Sequence, residues 1–332
     1  MLIGHQRIWN FLTQSAANNR LSHAYLFVGP SEVGKKKVAL EFVKLLECEK
    51  PEITKDGIIS CGECRSCLLI EKNQHPDVLL IEPVSQPDET QPERRVKNQE
   101  IKIGQIRQIQ HQVSLSPFSA KYKVIIIDSA EQMTLEAANC LLKTLEEPPQ
   151  KSILILLSSN WQKLLPTIIS RCQLIKFLPV RHNLIEEGLR DSGFKDKAKI
   201  EQVQRYACGR PGVAIKLISQ IDLWNKKNKS IDELQNLVKK DLVIKFKYAK
   251  DLSQNSPEAQ NVLNDWLIWF RDQMLSIIGV KNLMIFGSQG ASGDYSLMRI
   301  CKSIKDIQQA QGLLNESSFN SRLILENLLL KI

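Results

Sequence analysis

Residues 23–42, HAYLFVGPSEVGKKKVALEF, decide the fold. His23 to Val28 is an apolar run that reads as a strand, Gly29 to Lys35 has the spacing G-x-x-x-x-G-K, and a helical pattern follows. Strand, glycine-framed turn and helix in this order build a phosphate-binding loop. Backbone N–H groups and a helix N-terminus face the anion, and the lysine adds a point charge. Gly29, Gly34 and Lys35 fit those parts. Three neighbours depart from them. In a working loop the next residue is Ser or Thr, whose hydroxyl ligates Mg²⁺; here it is Lys36. Glu32 puts a carboxylate in the cradle. Lys36 and Lys37 set two cations at the positive end of a helix, costing about 0.3–1 kcal/mol each unless an anion is present. The loop reads as one that binds phosphate weakly or not at all.

Outward from it, Val78–Ile81, KVIIIDSAEQM (123–133), SILILLSSN (152–160) and QLIKF (173–177) are further apolar, β-branched runs. Between them lie helical patterns, with Ile103, Ile106, Gln110 and Val113 at one spacing and Leu135 to Leu145 stopped by Pro148 and Pro149. Strands alternating with helices predict an α/β fold with a doubly wound parallel sheet. Asp128 ends its strand where a metal-coordinating acid sits in such a site, and Ser129 stands where a hydrolytic site carries Glu. Residues 84–99 read as a surface loop. Beyond about 179 the strand signal fades, and both 179–221 and 222–332 read as helical.

The chain has 332 residues, 43% hydrophobic and 24% charged, with a formal charge of +9. These values support globular folding, and the charge suits an anionic partner or a solvated lysine face equally. The runs NKKNKS (225–230) and VKKDLVIKFKYAK (238–250) share that ambiguity. Apolar Leu242, Val243, Phe246 and Tyr248 within the second predict a helix with a packed face and a wet one. Trp266 and Trp269 read as helical core or subunit contact, and His75 as a turn residue. No apolar run approaches a membrane span, and the first twenty residues carry no signal-peptide pattern, so the expectation is a soluble, cytoplasmic protein with no membrane partner.

Reduced thiols are then expected. Cys61, Cys64 and Cys67 lie in CGECRSC, and Cys48 precedes them by twelve intervening residues. Four thiolates so spaced can close a tetrahedral Zn²⁺ site, which leaves no catalytic position, so the metal would be structural. Free thiols, or an iron–sulfur cluster on the same four sulfurs, are the alternatives. Cys140, Cys172, Cys208 and Cys301 are scattered and read as small buried hydrophobes.

Taken as a set, HAYLFVGP, HPDVLLIEP, IKIGQIRQI, KYKVIIIDSAEQM, AANCLLKTLEEPP, LLPTIISRCQ and GRPGVAIKL resemble the bacterial clamp-loader AAA+ family, and within it the delta-prime subunits of DNA polymerase III. The resemblance is dense over residues 4–215 and thinner over Asn320–Leu329. It implies an AAA+ α/β domain at 1–178 with a zinc module inserted at 48–67, a helical lid at 179–221, and a helical collar at 222–332 that holds a pentameric ring. It implies gamma/tau and delta subunits, the sliding clamp and primer–template DNA as partners. It places Ser158, Ser159 and Asn160 in the sensor region facing a γ-phosphate, and Gly212 where active relatives carry a lid arginine, with Arg210 nearby. It assigns Arg171, in the triplet Ser170-Arg171-Cys172, as a finger reaching into a neighbour's ATP site. With Lys36 and Ser129, Gly212 makes three departures from an active ATPase, all towards the non-hydrolysing member. Two other readings stand beside it. A gamma/tau-like ATPase with an unusual loop would show turnover lost on Lys35→Ala. A zinc-containing nucleic-acid-binding regulator would bind DNA tightly without ring partners.

Overall fold

The computed structural model describes residues 2–54, 57–85, 99–238, 240–280, 283–286, 296–314 and 319–332. Most of the loop expected at 84–99 lies outside them; its ends, Val84–Ser85 and Gln99–Glu100, pair as a short antiparallel ladder. The chain divides into two units, one formed mainly by residues 1–86 and 98–194 with 208–213, the other mainly by 195–207 and 214–332.

In the first unit the expected sheet is present. Strands β1 (Ala24–Val28), β2 (Val78–Ile81), β3 (Lys123–Ile127), β4 (Ser152–Ser158) and β5 (Gln173–Lys176) are all parallel, in the order β2-β3-β4-β1-β5. Their apolar runs are continuous because both faces are covered, and the pleat sends alternate residues to opposite sides. Tyr25, Phe27, Val124, Ile126, Ile153, Ile155 and Leu157 face a core shared with the helices Gln6–Ala17 and Lys35–Glu47. Ala24, Leu26, Val28, Ile125, Ile127, Leu154 and Leu156 face the other way, against Ile103–Ser114 and Leu135–Glu146. The second of these helices begins on a side-chain cap, the Thr134 hydroxyl oxygen accepting the Ala137 N–H at 3.2 Å.

The insertion after Lys35–Glu47 is a small antiparallel hairpin, Glu52–Thr54 with Gly57–Ile59, followed by the helix Arg65–Glu71. The helix His182–Asp191 also belongs to the first unit.

The second unit is helical. Its long elements are Ile221–Val238, Leu242–Ser253, Ser256–Ile278, Leu297–Leu314 and Ser321–Lys331. Trp266, Trp269, Phe270, Leu263, Ile300 and Ile307 are fully buried in its core, as expected of the two tryptophans. A buried carboxylate, Asp265, is satisfied by the Tyr206 hydroxyl at 2.5 Å and the Lys227 ammonium at 2.9 Å. One expectation fails here. Leu242 and Val243 do not pack: Val243 is 78% exposed, because the helix turns Phe246, Tyr248 and Ala249 inward instead. Cys208 and Cys301 are likewise exposed rather than buried, and Cys140 and Cys172 are half-buried.

Candidate functional site

The loop between β1 and the helix Lys35–Glu47 is built against the ends of β4 and β5. The Gly29 N–H donates to the Ser158 carbonyl at 3.2 Å. A Cβ at Gly29 would lie 2.3 Å from the Phe177 carbonyl oxygen, so only glycine passes there. Glu32, at φ 59, holds the left-handed turn of the loop, and its carbonyl accepts the Gly212 N–H at 2.9 Å. A Cβ at Gly212 would meet that same carbonyl at 2.8 Å. The Gly212 backbone thus seats directly on the loop.

Lys35 is 8% exposed and turned inward, donating to the carbonyls of Gly29 at 2.6 Å and Pro30 at 2.8 Å. Burial lowers its pKa from the ordinary lysine value, against the opposing charges of Glu131 and Asp128. Lys36 points the other way. Its ammonium pairs with Glu82, just past β2, and lies 3.5 Å from Asp128 Oδ2, just past β3. Burial opposes its charge, but the Glu82 hydrogen bond and the charges of Asp128 and Glu82 outweigh it, so its pKa is raised. Ser129, at φ 55, opens a single 3₁₀ turn, Ala130–Gln132. That turn brings Glu131 to Ser159, which donates to it through both its N–H, at 3.0 Å, and its hydroxyl. Glu131 is thereby held below the ordinary carboxylate range, these donors outweighing burial. Ser158 accepts the Asn160 N–H at 3.2 Å, closing the strand end. Sequence reasoning placed Gly29, Gly34, Lys35 and Asp128 together, and the structure does so. It missed Glu82 and Glu131, which carry no periodic signal and meet the loop only through the fold.

A bound nucleotide with Mg²⁺ needs an oxygen from the loop and an open acid at the end of β3. Here the residue in the hydroxyl's place supplies an ammonium, and that ammonium already faces the acid. The residues present do not fit the metal.

The cysteines give the opposite result. The sulfurs of Cys48, Cys61, Cys64 and Cys67 all lie within 4.8 Å of one another, with those of Cys48 and Cys61 3.5 Å apart. Sulfurs at about 2.3 Å from a tetrahedral centre are about 3.8 Å from each other, so this set can hold a metal ion. Cys48 ends one helix, Cys64 caps the start of Arg65–Glu71, and the hairpin between them returns the chain. Backbone N–H groups already point at sulfur: Cys61 donates to Cys48 Sγ at 3.3 Å and Cys64 to Cys61 Sγ at 3.4 Å. The N–H groups of Cys64 and Glu63 bring the Cys61 thiol down to about 7. Such donors favour thiolate, the form that binds metal.

Arg171 follows the short helix Pro166–Ile169. It donates to the Thr167 carbonyl at 3.0 Å and pairs with Glu146 at 2.8 Å, at the end of Leu135–Glu146. His75 is buried, and its Nδ1 accepts the Asp77 N–H at 3.2 Å, which is the turn role expected of it. Asp77 itself went unread in the sequence. It is 1% exposed and accepts the N–H groups of Phe118, Ser119 and Ala120 at 2.8, 2.8 and 3.0 Å. Beside it Glu47 accepts those of Lys121 and Tyr122 at 2.6 and 3.0 Å. Two buried carboxylates thus pin five successive residues.

The sheet order and the loop at the end of β1 define a P-loop domain of the AAA+ class. A profile described as "DNA polymerase III, delta subunit" matches residues 4–181. The chain belongs to that family, on the delta-prime branch of the clamp-loader proteins. It is 38% identical over 183 residues to DNA polymerase III subunit delta' of Bacillus subtilis, covering 55% of this chain and 50% of that one. To subunit delta' of Pseudomonas aeruginosa it is 28% identical over 98% of this chain and 95% of the relative. To subunit tau of Bacillus subtilis it is 26% identical over 82% of this chain and 49% of the relative. The chain thus spans about half the length of the two Bacillus relatives. A DNA polymerase III gamma subunit-related protein from Thermotoga maritima shares the fold, with a TM-score of 0.53 at 17% identity over 96% of this chain and 97% of that one. Among the described residues no helix is long and apolar enough to cross a membrane.

Proposed function

We propose that this chain is the non-hydrolysing delta-prime subunit of a clamp loader, a stator that helps place the sliding clamp on primed DNA during replication. The observation that carries this reading is the loop: Lys35 is spent on its own carbonyls and Lys36 on Glu82 and Asp128, so the machinery for Mg²⁺–ATP is absent while its scaffold remains. The active chemistry then belongs to neighbours. Gamma/tau and delta subunits are the expected partners in the ring, with the sliding clamp and primer–template DNA as what the ring acts on, in the cytoplasm. An α/β domain over 1–178, a lid over 179–221 and a collar over 222–332 suit that assembly. Cys48, Cys61, Cys64 and Cys67 would hold one structural Zn²⁺, the thiolate set and spacing being those that ion takes.

Arg171 is the residue offered across an interface. Its guanidinium is partly exposed and held by the Thr167 carbonyl and Glu146. An arginine finger stabilises charge on the transferring phosphoryl group, worth about 10³–10⁵ in rate at the site it serves. The test is Arg171→Ala in a complex reconstituted with gamma/tau and delta. Folding and metal content should match wild type, total ATP turnover should fall by the share of one site, and clamp loading should fall further. Loading at the wild-type rate under saturating ATP removes Arg171 from this role.

The similarity to subunit tau favours one second reading, an ATPase of the gamma/tau kind. It requires Mg²⁺-dependent turnover by the purified chain that is lost on Lys35→Ala.

A further inference from the structure

The loop that lacks a metal ligand does not lack a cation. We infer that Lys36 is the resident cation of this site: its ammonium takes the electrostatic place of the divalent metal and ties the loop helix to the ends of two strands. The inference rests on reading this loop as a non-hydrolysing one, and it adds why the acid at the end of β3 is still present.

Three observations support it. Lys36 is the second residue of the helix Lys35–Glu47, the position from which a hydroxyl would ligate Mg²⁺, so its side chain starts from the metal's side of the loop. Its Nζ contacts Glu82 and reaches Asp128 Oδ2 at 3.5 Å, and these two carboxylates end neighbouring strands, β2 and β3. Two carboxylates that converge from adjacent strand ends repel each other unless a cation lies between them. A divalent ion does that where the loop binds nucleotide; an ammonium does it here. The remaining charges facing the pair agree. Lys35 lies inward on the Gly29 and Pro30 carbonyls, and Glu131 is turned to Ser159, so neither replaces Lys36 as the partner of Asp128.

One consequence is that the site is metal-free by construction, and a second is that removing the ammonium should create a metal site. In a Lys36→Ala chain Glu82 and Asp128 face each other across the space the ammonium leaves, a pair of hard oxygen donors suited to Mg²⁺ or Mn²⁺. A divalent ion should then restore what the substitution removes.

The experiment is thermal unfolding of the full chain with and without millimolar MnCl₂, for wild type, Lys36→Ala and Lys36→Ala/Asp128→Asn. Lys36→Ala should melt about 2 °C below wild type, the shift that fits a half-exposed ion pair in a chain of this size. Mn²⁺ should return at least half of that loss, while leaving the wild-type midpoint within about a degree. Asp128→Asn in the same background should abolish the rescue. If Lys36→Ala does not fold, Lys36→Thr carries the same test with a hydroxyl in the metal's own position. An unchanged midpoint for Lys36→Ala overturns the inference, as does a loss that Mn²⁺ fails to restore, or a wild-type chain stabilised by Mn²⁺ as much as the variant. None of these readouts involves ATP turnover. Hydrolysis by the wild-type chain would refute the stator reading separately, and a failed metal rescue would leave Arg171's role in the assembled ring untouched.

Discussion

The two places where this fold gathers cation-binding groups behave in opposite ways. In the insertion four sulfurs converge, within 4.8 Å of one another, and backbone N–H groups donate to the Cys48 and Cys61 sulfurs. At the loop two carboxylates also converge, but the protein's own ammonium lies between them. A cluster of donors therefore announces a metal only when the chain has not already answered its charge. The same criterion covers a third pair, Asp77 and Glu47. They sit side by side, and their acceptor capacity is spent mainly on five backbone N–H groups, so they hold a loop and not an ion.

The largest expected effect lies at the cysteines. Metal analysis should find about one Zn²⁺ per chain, and Cys64→Ser or prolonged chelation should bring this close to zero. Structural zinc is worth on the order of 10 kcal/mol to a small fold, so the amides of residues 57–67 should lose their hydrogen-exchange protection while those of β1, β3 and β4 keep theirs. Full protection of the insertion in metal-free protein would make the two cation sites alike and break the contrast.

Next comes the carboxylate that serves backbone. Asp77→Asn removes a charged acceptor from three N–H groups and should cost about 2–3 kcal/mol in urea unfolding. Its N–H partners and Lys123 hold Asp77 below its ordinary value of 3.8 in spite of burial. The stability it supplies is accordingly complete above that pH and is lost as pH falls through the lower folded value. The gap between wild type and Asp77→Asn should close on acidification below about pH 4. A gap that persists there means the cost is packing and not charge.

The smallest effect belongs to Lys36. Its side chain is 39% exposed, so solvent screens the pair, and Lys36→Met should cost less than about 1 kcal/mol at pH 7. Its pKa is raised above the ordinary 10.5, so the pair contributes fully below that pH and fades as pH climbs through the higher folded value. The difference between wild type and Lys36→Met should hold through neutral pH and shrink only in strong alkali. ATP turnover by the lone chain should stay at background throughout, measured as phosphate release with Mg²⁺. A rate above that of a Lys35→Ala control would reopen the loop as an enzyme.

Much of the first unit could be read from residues alone because its signals are local. A buried parallel strand must be apolar on both faces, so KVIII and SILILL identify themselves, and CGECRSC fixes ligand spacing within one turn and one helix. The cation at the loop could be named from position 36, but its partner could not. Glu82 follows a strand with nothing in its neighbourhood to mark it, and meets Lys36 only because β2 ends and the loop helix begins at the same edge of the sheet. Asp77 was invisible for the same reason, its partners lying some forty residues on. In the second unit the reading failed at Leu242 and Val243. Apolar residues near a helix start show that a helix exists without saying which of its sides the neighbours cover.

The sheet order has a consequence in time. β1 lies between β4 and β5, with Ala24 opposite Leu154 and Tyr25 opposite Gln173. Both neighbours are made more than a hundred residues after it. At a synthesis rate of about 5–20 residues per second, β1 waits roughly 7 to 30 s on the ribosome before both partners exist. The loop waits with it, since the Gly29 N–H pairs with the Ser158 carbonyl and Gly29 packs against Phe177. Pairings this distant make for slow folding, and an unpaired AYLFV strand is a sticky one in the interval. The P-loop is written well before the strands that complete it, so chains stalled between them should be recognised by holdase chaperones through residues 24–28.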